Sequence, residues 1–412
     1  MPSSPIRTCV LGVGLSGLTF HVPFILALPE CFTLVSVLER NPQTEGGKLR
    51  ERFGVTAKIH NNLSQVLEDP EIELVIIGTP SPTHYSYTKA ALEAGKHVLV
   101  DKPVTSTAAE ARELGDIARA KGRILYAFQN RRFDSDFLAL RKLLSLPKSS
   151  PQSIGDVVEF ETQLGPFYSR VPHTLNWRSF DRYRKGTKNS WKDEPSPGVG
   201  HTYDLGTHLM DQVLSLFGRP DKLTAFIQNS RGVGSPEVDD SVSPIEFTTQ
   251  GAFLIIIISS EVHDLHALRC WAGLPRPVTA IARAQLLSVR SPQPRYMVLG
   301  TKGSYVKYGV DVQEDQLKVI STPNAIHEPG YGVEPESIWG TLECLEADDT
   351  TMTKSMWPSE AGCYKELFKN LAAAIREGVE LAIKWEEATT LMEMVELAYK
   401  SSKEGATLDV KK

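Results

Sequence analysis

The segment AGKHVLVDKPVT, residues 94–105, is an apolar strand pattern that stops abruptly at Asp101, Lys102 and Pro103. Such a strand delivers Asp101, Lys102 and Pro103 to the carboxyl edge of its sheet, where ligands sit in open parallel sheets. The same lysine can also be a solvated strand-end cation. Pro103 fixes the backbone direction and admits a cis Lys–Pro bond at about 0.5–1 kcal/mol against trans. A second pattern, PGVGHTYDLGTHLMDQVLSLFG at 197–218, puts a glycine-containing loop before an amphipathic helix at about 204–217. Asp204 and His208 stand four apart there, on one helix face. Imidazole exchanges a proton near neutral pH, and a carboxylate one turn away can orient it or hold a substrate. A capping aspartate beside a packed core histidine, or an i,i+4 metal pair, would show the same spacing.

A third pattern, GVGLSG at Gly12–Gly17, follows the strand-like IRTCVLG and leads into an apolar helical segment. That context turns G-x-G-x-x-G into a dinucleotide signal. Gly12 permits the tight turn, Gly14 lets backbone approach a pyrophosphate, and Gly17 allows close packing of helix on strand. The amides near Leu15 and Ser16, at the positive end of the helix, would hold the anion. Glu39 ends the second strand, where an acid accepts hydrogen bonds from an adenosine ribose. Arg40 beside it could neutralise a 2′-phosphate that Glu39 would repel, so NAD(H) is expected, with NADP(H) open. Thr79 and Pro80, in GTPSPTH, lie against the cofactor or form a plain rigid turn. His84, Asp101 and Asn130 are counted with the cofactor residues.

These groups need elements to position them. IRTCVLG, FTLVSVLE, ELVIIGTP, HVLV and RILYAF alternate with helical segments at 43–52, 84–95 and 106–121. Continuous apolar strands separated by helices predict a doubly wound parallel sheet, a Rossmann domain over residues 1–129. Beyond it DVVEFETQL, LTAFIQ, GAFLIIIISS, AQLLSVR, RYMVLG and SYVKYG follow with the 204–217 helix as the only helical stretch among them. That rhythm predicts an α+β domain with an open, mostly antiparallel sheet over 130–412. Stretches 181–200 and 321–359, rich in Pro, Gly and charge, read as long loops. Helices at 360–377 and 383–402 close the chain and can pack back on the first domain.

In combination and order, GVGLSG, GTPSPTH, AGKHVLVDKP, QNRRFDSDF, DLGTHLMDQ and GSYVKYGVDVQEDQL resemble the glucose-fructose oxidoreductase/inositol dehydrogenase/MocA (Gfo/Idh/MocA) family, over roughly three quarters of the chain. The resemblance implies a Rossmann domain followed by an open-sheet domain. It makes Lys102 the E-K-P lysine that hydrogen-bonds the reacting oxygen, His208 the general acid/base, and Asp204 a positioner of substrate or histidine. Hydride then passes between nicotinamide and a carbinol carbon of a sugar, inositol or related polyol. Asp101 departs from the usual glutamate, and PGVGH is less glycine-dense than in many relatives. A dinucleotide-binding regulator on the same scaffold is the alternative; a sensor has no chemical need for Lys102, Asp204 and His208 together.

Other residues bound the reading. Trp177 and Arg178 could line a sugar pocket, with core packing open for the tryptophan. Arg131 and Arg132 touch a ligand or pair with acids, and His201 is expected in an exposed loop. His263 and His266 lack clustered ligands, so no metal is expected, and no G-x-S-x-G elbow is present. The net charge of −5 and pI of about 6.1 exclude a nucleic-acid surface. Five scattered cysteines without C-x-x-C spacing fit buried thiols in a reducing compartment. MPSSPIR has no secretory pattern, and the longest apolar block, AFLIIII, is too short for a transmembrane helix. The expectation is a cytoplasmic homo-oligomer with a small-molecule substrate and no membrane or nucleic-acid partner.

Overall fold

The structure is a computed structural model that describes residues 4–164, 191–230, 232, 234–243, 256–258, 278–285 and 292–410. In its N-terminal part, strands β1 (Ile6–Leu11), β2 (Phe32–Leu38), β3 (Lys58–His60), β4 (Leu74–Ile77), β5 (His97–Asp101) and β6 (Leu125–Phe128) alternate with helices α1 (Val22–Ala27), α2 (Gly47–Phe53), α3 (Leu63–Glu68), α4 (His84–Glu93) and α5 (Ala108–Lys121). The strands form one six-stranded parallel sheet in the order β3-β2-β1-β4-β5-β6. Every residue of β4 and β6 is buried, as a sheet covered on both faces requires. The order reverses between β1 and β4, and a doubly wound sheet binds ligands outside the carboxyl ends of its strands at such a point. A capping box between Thr107 and Glu110 starts α5, and Gly122 at φ 60° ends it.

The chain continues through α6 (Ser135–Leu144), β7 (Val157–Leu164), α7 (Thr207–Phe217), β8 (Lys222–Leu223), β9 (Phe226–Gln228), β10 (Ser241–Ser243), β11 (Ile256–Ile258), β12 (Val278–Gln285), β13 (Pro294–Gly300), β14 (Gly303–Tyr308), α8 (Gln313–Val319), β15 (Gly340–Leu345), β16 (Met352–Trp357), α9 (Tyr364–Glu377), α10 (Trp385–Glu404) and β17 (Leu408–Asp409). The second sheet runs β16-β15-β14-β13-β7-β12-β11-β8-β17, with β10 joining β12 to β9. All its pairs are antiparallel except β7–β12.

Two compact units result. One comprises 1–134, 312–333 and 361–392; the other comprises 135–311, 334–360 and 393–412. Within the first, Phe24 of α1 stacks on Phe368 of α9 at 4.7 Å, Trp385 donates to the Ala111 carbonyl at 2.7 Å, and Arg376 pairs with Glu73 at 3.0 Å. Cys9 and Cys344 are buried free thiols, and burial pushes Cys9 up to about 12. Cys270 lies outside the described residues.

Several expectations are corrected. Residues 321–359 are not a long loop: they contain two short 3-10 turns and the hairpin β15–β16. Of the strand expected at 284–290 only Ala284 and Gln285 lie among the described residues, within β12. Helices α6 and α8 and the β3–α3 unit were not anticipated. GAFLIIIISS falls mostly outside the described residues, and only Ile256–Ile258 of it is seen as a strand.

Candidate active site

Because the first sheet is parallel, the carboxyl ends of its strands share one edge, and the glycine turn, Glu39, Gly78–His84, Asp101–Pro103 and Asn130 all follow those ends. A Cβ on Gly12, at φ +90°, would stand 2.8 Å from the Gly78 carbonyl oxygen, and one on Gly17 would stand 1.9 Å from the Gly12 oxygen. Both positions therefore require glycine. Around Gly14 nothing lies within 4 Å of a Cβ, so the backbone there is open to a ligand. Tight flanks with an open centre fit a pyrophosphate on this turn. Leu15 is exposed, and the helix beginning there turns π-helical over Gly17–His21 before α1.

Asp101 faces the glycine turn. Ser16 Oγ donates to Asp101 Oδ2, and His21 Nε2 lies 2.8 Å from Oδ1. Burial pushes the Asp101 carboxyl up, but the charge and hydrogen bond of His21 and the hydrogen bond from Ser16 outweigh it and hold the group below its ordinary value. His21 is fully buried, its ring 4.5 Å from that of Phe128. This histidine was missed, since nothing in LTFHVP separates it from a packed helix residue. Half-buried Lys102 follows and joins Pro103 through a cis bond.

His84 ties two turns together, with Nδ1 2.6 Å from the Pro103 oxygen and Nε2 2.8 Å from the Thr79 oxygen. Thr79 and Thr83 hydroxyls meet at 2.6 Å, and Pro80 is exposed. Asn130 is buried at the start of a 3-10 turn. Gln129 before it is buried too, with no hydrogen-bond partner for its amide among the described residues. The register pairs Asp101 with Phe128, so Gln129 follows one strand end as Lys102 follows the other. Arg131 pairs with Asp134 at 3.2 Å and Glu314 at 2.9 Å, and Arg132 with Glu387 at 2.7 Å. Glu39 is buried, its Oε2 accepting from the Lys48 amide at 3.1 Å, while Arg40 is exposed.

In the second unit the helix carrying Asp204 and His208 runs from His201 to Phe217 and is π-helical over Thr202–Gly206, with the Thr207 amide donating to the Thr202 carbonyl. Single π turns are rare and frequent at functional sites. Asp239 holds its start. Oδ2 accepts from the Thr202 amide and hydroxyl, both at 2.7 Å, Oδ1 from Tyr399 at 2.6 Å, and the Asp239 carbonyl from the His201 amide at 2.9 Å. Gly200, at φ +124°, admits that contact, for its Cβ would stand 2.1 Å from Oδ1. Burial raises the Asp239 carboxyl despite those hydrogen bonds. His201 is therefore buried, not exposed in a loop as expected.

Asp204 is ion-paired with Lys192 at 3.0 Å, and His208 is buried. Farther along, Gln212 Oε1 accepts from Arg295 at 3.0 Å and Tyr296 at 3.1 Å, and Arg295 pairs with Asp136 at 2.8 Å, both fully buried. Phe217 packs edge-on against Phe160 at 5.2 Å. Trp177, Arg178, His263 and His266 lie outside the described residues.

A doubly wound sheet with this glycine turn, joined to an open-sheet domain, defines the class of two-domain dinucleotide-binding oxidoreductases. The chain belongs to the Gfo/Idh/MocA oxidoreductase family: residues 6–129 match its NAD-binding Rossmann fold and residues 151–410 its C-terminal alpha/beta domain. It is 34% identical to an uncharacterised oxidoreductase of Schizosaccharomyces pombe over 98% of this chain and 99% of the relative. It is 31% identical to the scyllo-inositol 2-dehydrogenase (NADP(+)) IolW of Bacillus subtilis, over 98% of this chain and 95% of that protein. The solved structure of the Bacillus subtilis oxidoreductase YvaA superposes with a TM-score of 0.76 at 28% identity, over 98% of this chain and all of that one. The cofactor is accordingly a nicotinamide dinucleotide, NAD or NADP. No helix among the described residues is long and apolar enough to cross a membrane.

Proposed function

We propose that this protein is an NAD(P)-dependent dehydrogenase or reductase that interconverts a secondary alcohol and a ketone on a sugar, an inositol or a related polyol. The observation that carries this reading is the seat of Lys102. It follows Asp101 directly, and Asp101 is bonded to Ser16 of the glycine turn and to His21, so the strand end that carries Lys102 is tied to the glycine turn. A relative named as a scyllo-inositol 2-dehydrogenase supports the substrate class.

When bound, the nicotinamide supplies or accepts the hydride. Lys102 hydrogen-bonds the substrate oxygen and stabilises the negative charge that gathers on it. His208 takes the hydroxyl proton as an alcohol is oxidised and returns it when a ketone is reduced. Asp204, already engaged by Lys192, orients substrate hydroxyls or the imidazole. The protein thus contributes alignment and electrostatics. Exposed Leu299, Leu345, Met352 and Met356 support association with further copies of the chain, and the free cysteines support a reducing, cytoplasmic setting.

A screen of sugars and inositols with NAD and with NADP, following absorbance of the reduced nicotinamide, tests this reading. The expected result is turnover with at least one polyol. Tight dinucleotide binding without turnover on any sugar or polyol would favour a regulator on the same scaffold.

A further inference from the structure

At the end of β2 the structure separates two side chains that are neighbours in sequence. Glu39 is only 6% exposed, and its Oε2 accepts from the Lys48 amide at 3.1 Å. Gly46 and Gly47 both take positive φ, +83° and +58°, and a Cβ on Gly47 would stand 2.1 Å from Glu39 Oε2. The glycine pair lets the main chain close over the carboxylate, which any side chain at position 47 would prevent. The second oxygen, Oε1, is also buried, without a hydrogen-bond partner among the described residues.

Arg40 differs in both respects. It is exposed, and no hydrogen bond or ion pair is seen for it among the described residues. A guanidinium presents a planar fork of donors that matches phosphate oxygens two at a time. An arginine at the end of the second strand is placed to accept a 2′-phosphate, as an acid there accepts the ribose hydroxyls.

We propose that the chain prefers NADP(H) over NAD(H), with Arg40 as the residue that reads the 2′-phosphate and Glu39 as a covered brace for the loop before α2. The repulsion expected between Glu39 and that phosphate is offset in part by the Lys48 amide, which donates to one carboxylate oxygen at 3.1 Å. The inference rests on the dinucleotide-binding reading but not on the hydride-transfer chemistry, so the two can fail separately.

Titration of the purified full-length chain with NADPH and with NADH, followed by quenching of tryptophan fluorescence, tests it without turnover. NADPH should bind at least ~10-fold more tightly, the scale of a charge-assisted hydrogen bond or two. Arg40→Ala should weaken NADPH by a similar factor and leave NADH within about 2-fold. Since Arg40 is exposed, its loss leaves the fold intact. Glu39→Gln should leave the preference unchanged, whereas an acid that reads the ribose would lose NADH affinity. Equal or tighter NADH binding, or equal weakening of both by Arg40→Ala, overturns the proposal and spares the assignment of activity. Failure of both dinucleotides to bind overturns both readings together.

Discussion

Asp101 is the residue on which the placement of Lys102 turns. Its short side chain meets a serine of the glycine turn and a fully buried histidine, so it links the loop after β1 to the end of β5. Asp101→Ala leaves buried His21 with an unsatisfied ring nitrogen and half-buried Ser16 without its acceptor. The expected cost is about 1–3 kcal/mol by chemical denaturation, together with weaker dinucleotide binding by titration. Asp101→Glu restores the charge but adds a methylene to a closed site, so it should recover binding only in part. The glycine turn was legible because local residue types mark it, and Lys102 and His208 are proposed on marks of the same kind. His21 and Asp239 were not, for their meaning comes from partners far along the chain, Asp101 for one and Thr202 and Tyr399 for the other.

Among the elements, β5 carries a pH dependence. His97 Nδ1 accepts from the Ile124 amide at 2.9 Å, and burial, with the charges of Arg123 and Arg376, holds the ring down to about 4. The neutral ring is the folded form, so its stabilisation is complete above the unfolded histidine value of about 6.5 and is lost as pH falls from there towards about 4. Thermal unfolding should shift to lower temperature across that window, and His97→Asn should flatten the dependence.

The helix bearing His208 depends on Asp136 through Arg295 and Gln212. Asp136→Ala, by leaving a buried guanidinium unpaired, should cost about 3–5 kcal/mol by denaturant titration. The strands of the parallel sheet are continuous apolar runs, whereas β16 exposes five of its six residues and hides among the polar segments around it.

For the whole molecule, cross-strand register places Leu299, Leu345, Met352 and Met356 on one face of the second sheet, interrupted by the Glu343–Lys354 pair at 2.8 Å. Light scattering should report an oligomer, and Leu345→Lys with Met352→Lys should lower its mass if this face is the contact. Under the proposed function, Lys102 and His208 serve one hydride transfer. Its most direct test is turnover of Lys102→Ala, His208→Ala and the double variant on one polyol, beside dinucleotide affinity. Each single change should lower turnover at least ~100-fold with affinity little altered, and the double should fall well short of the product of the two losses. Undiminished turnover in both single variants, or losses that simply multiply, would contradict it.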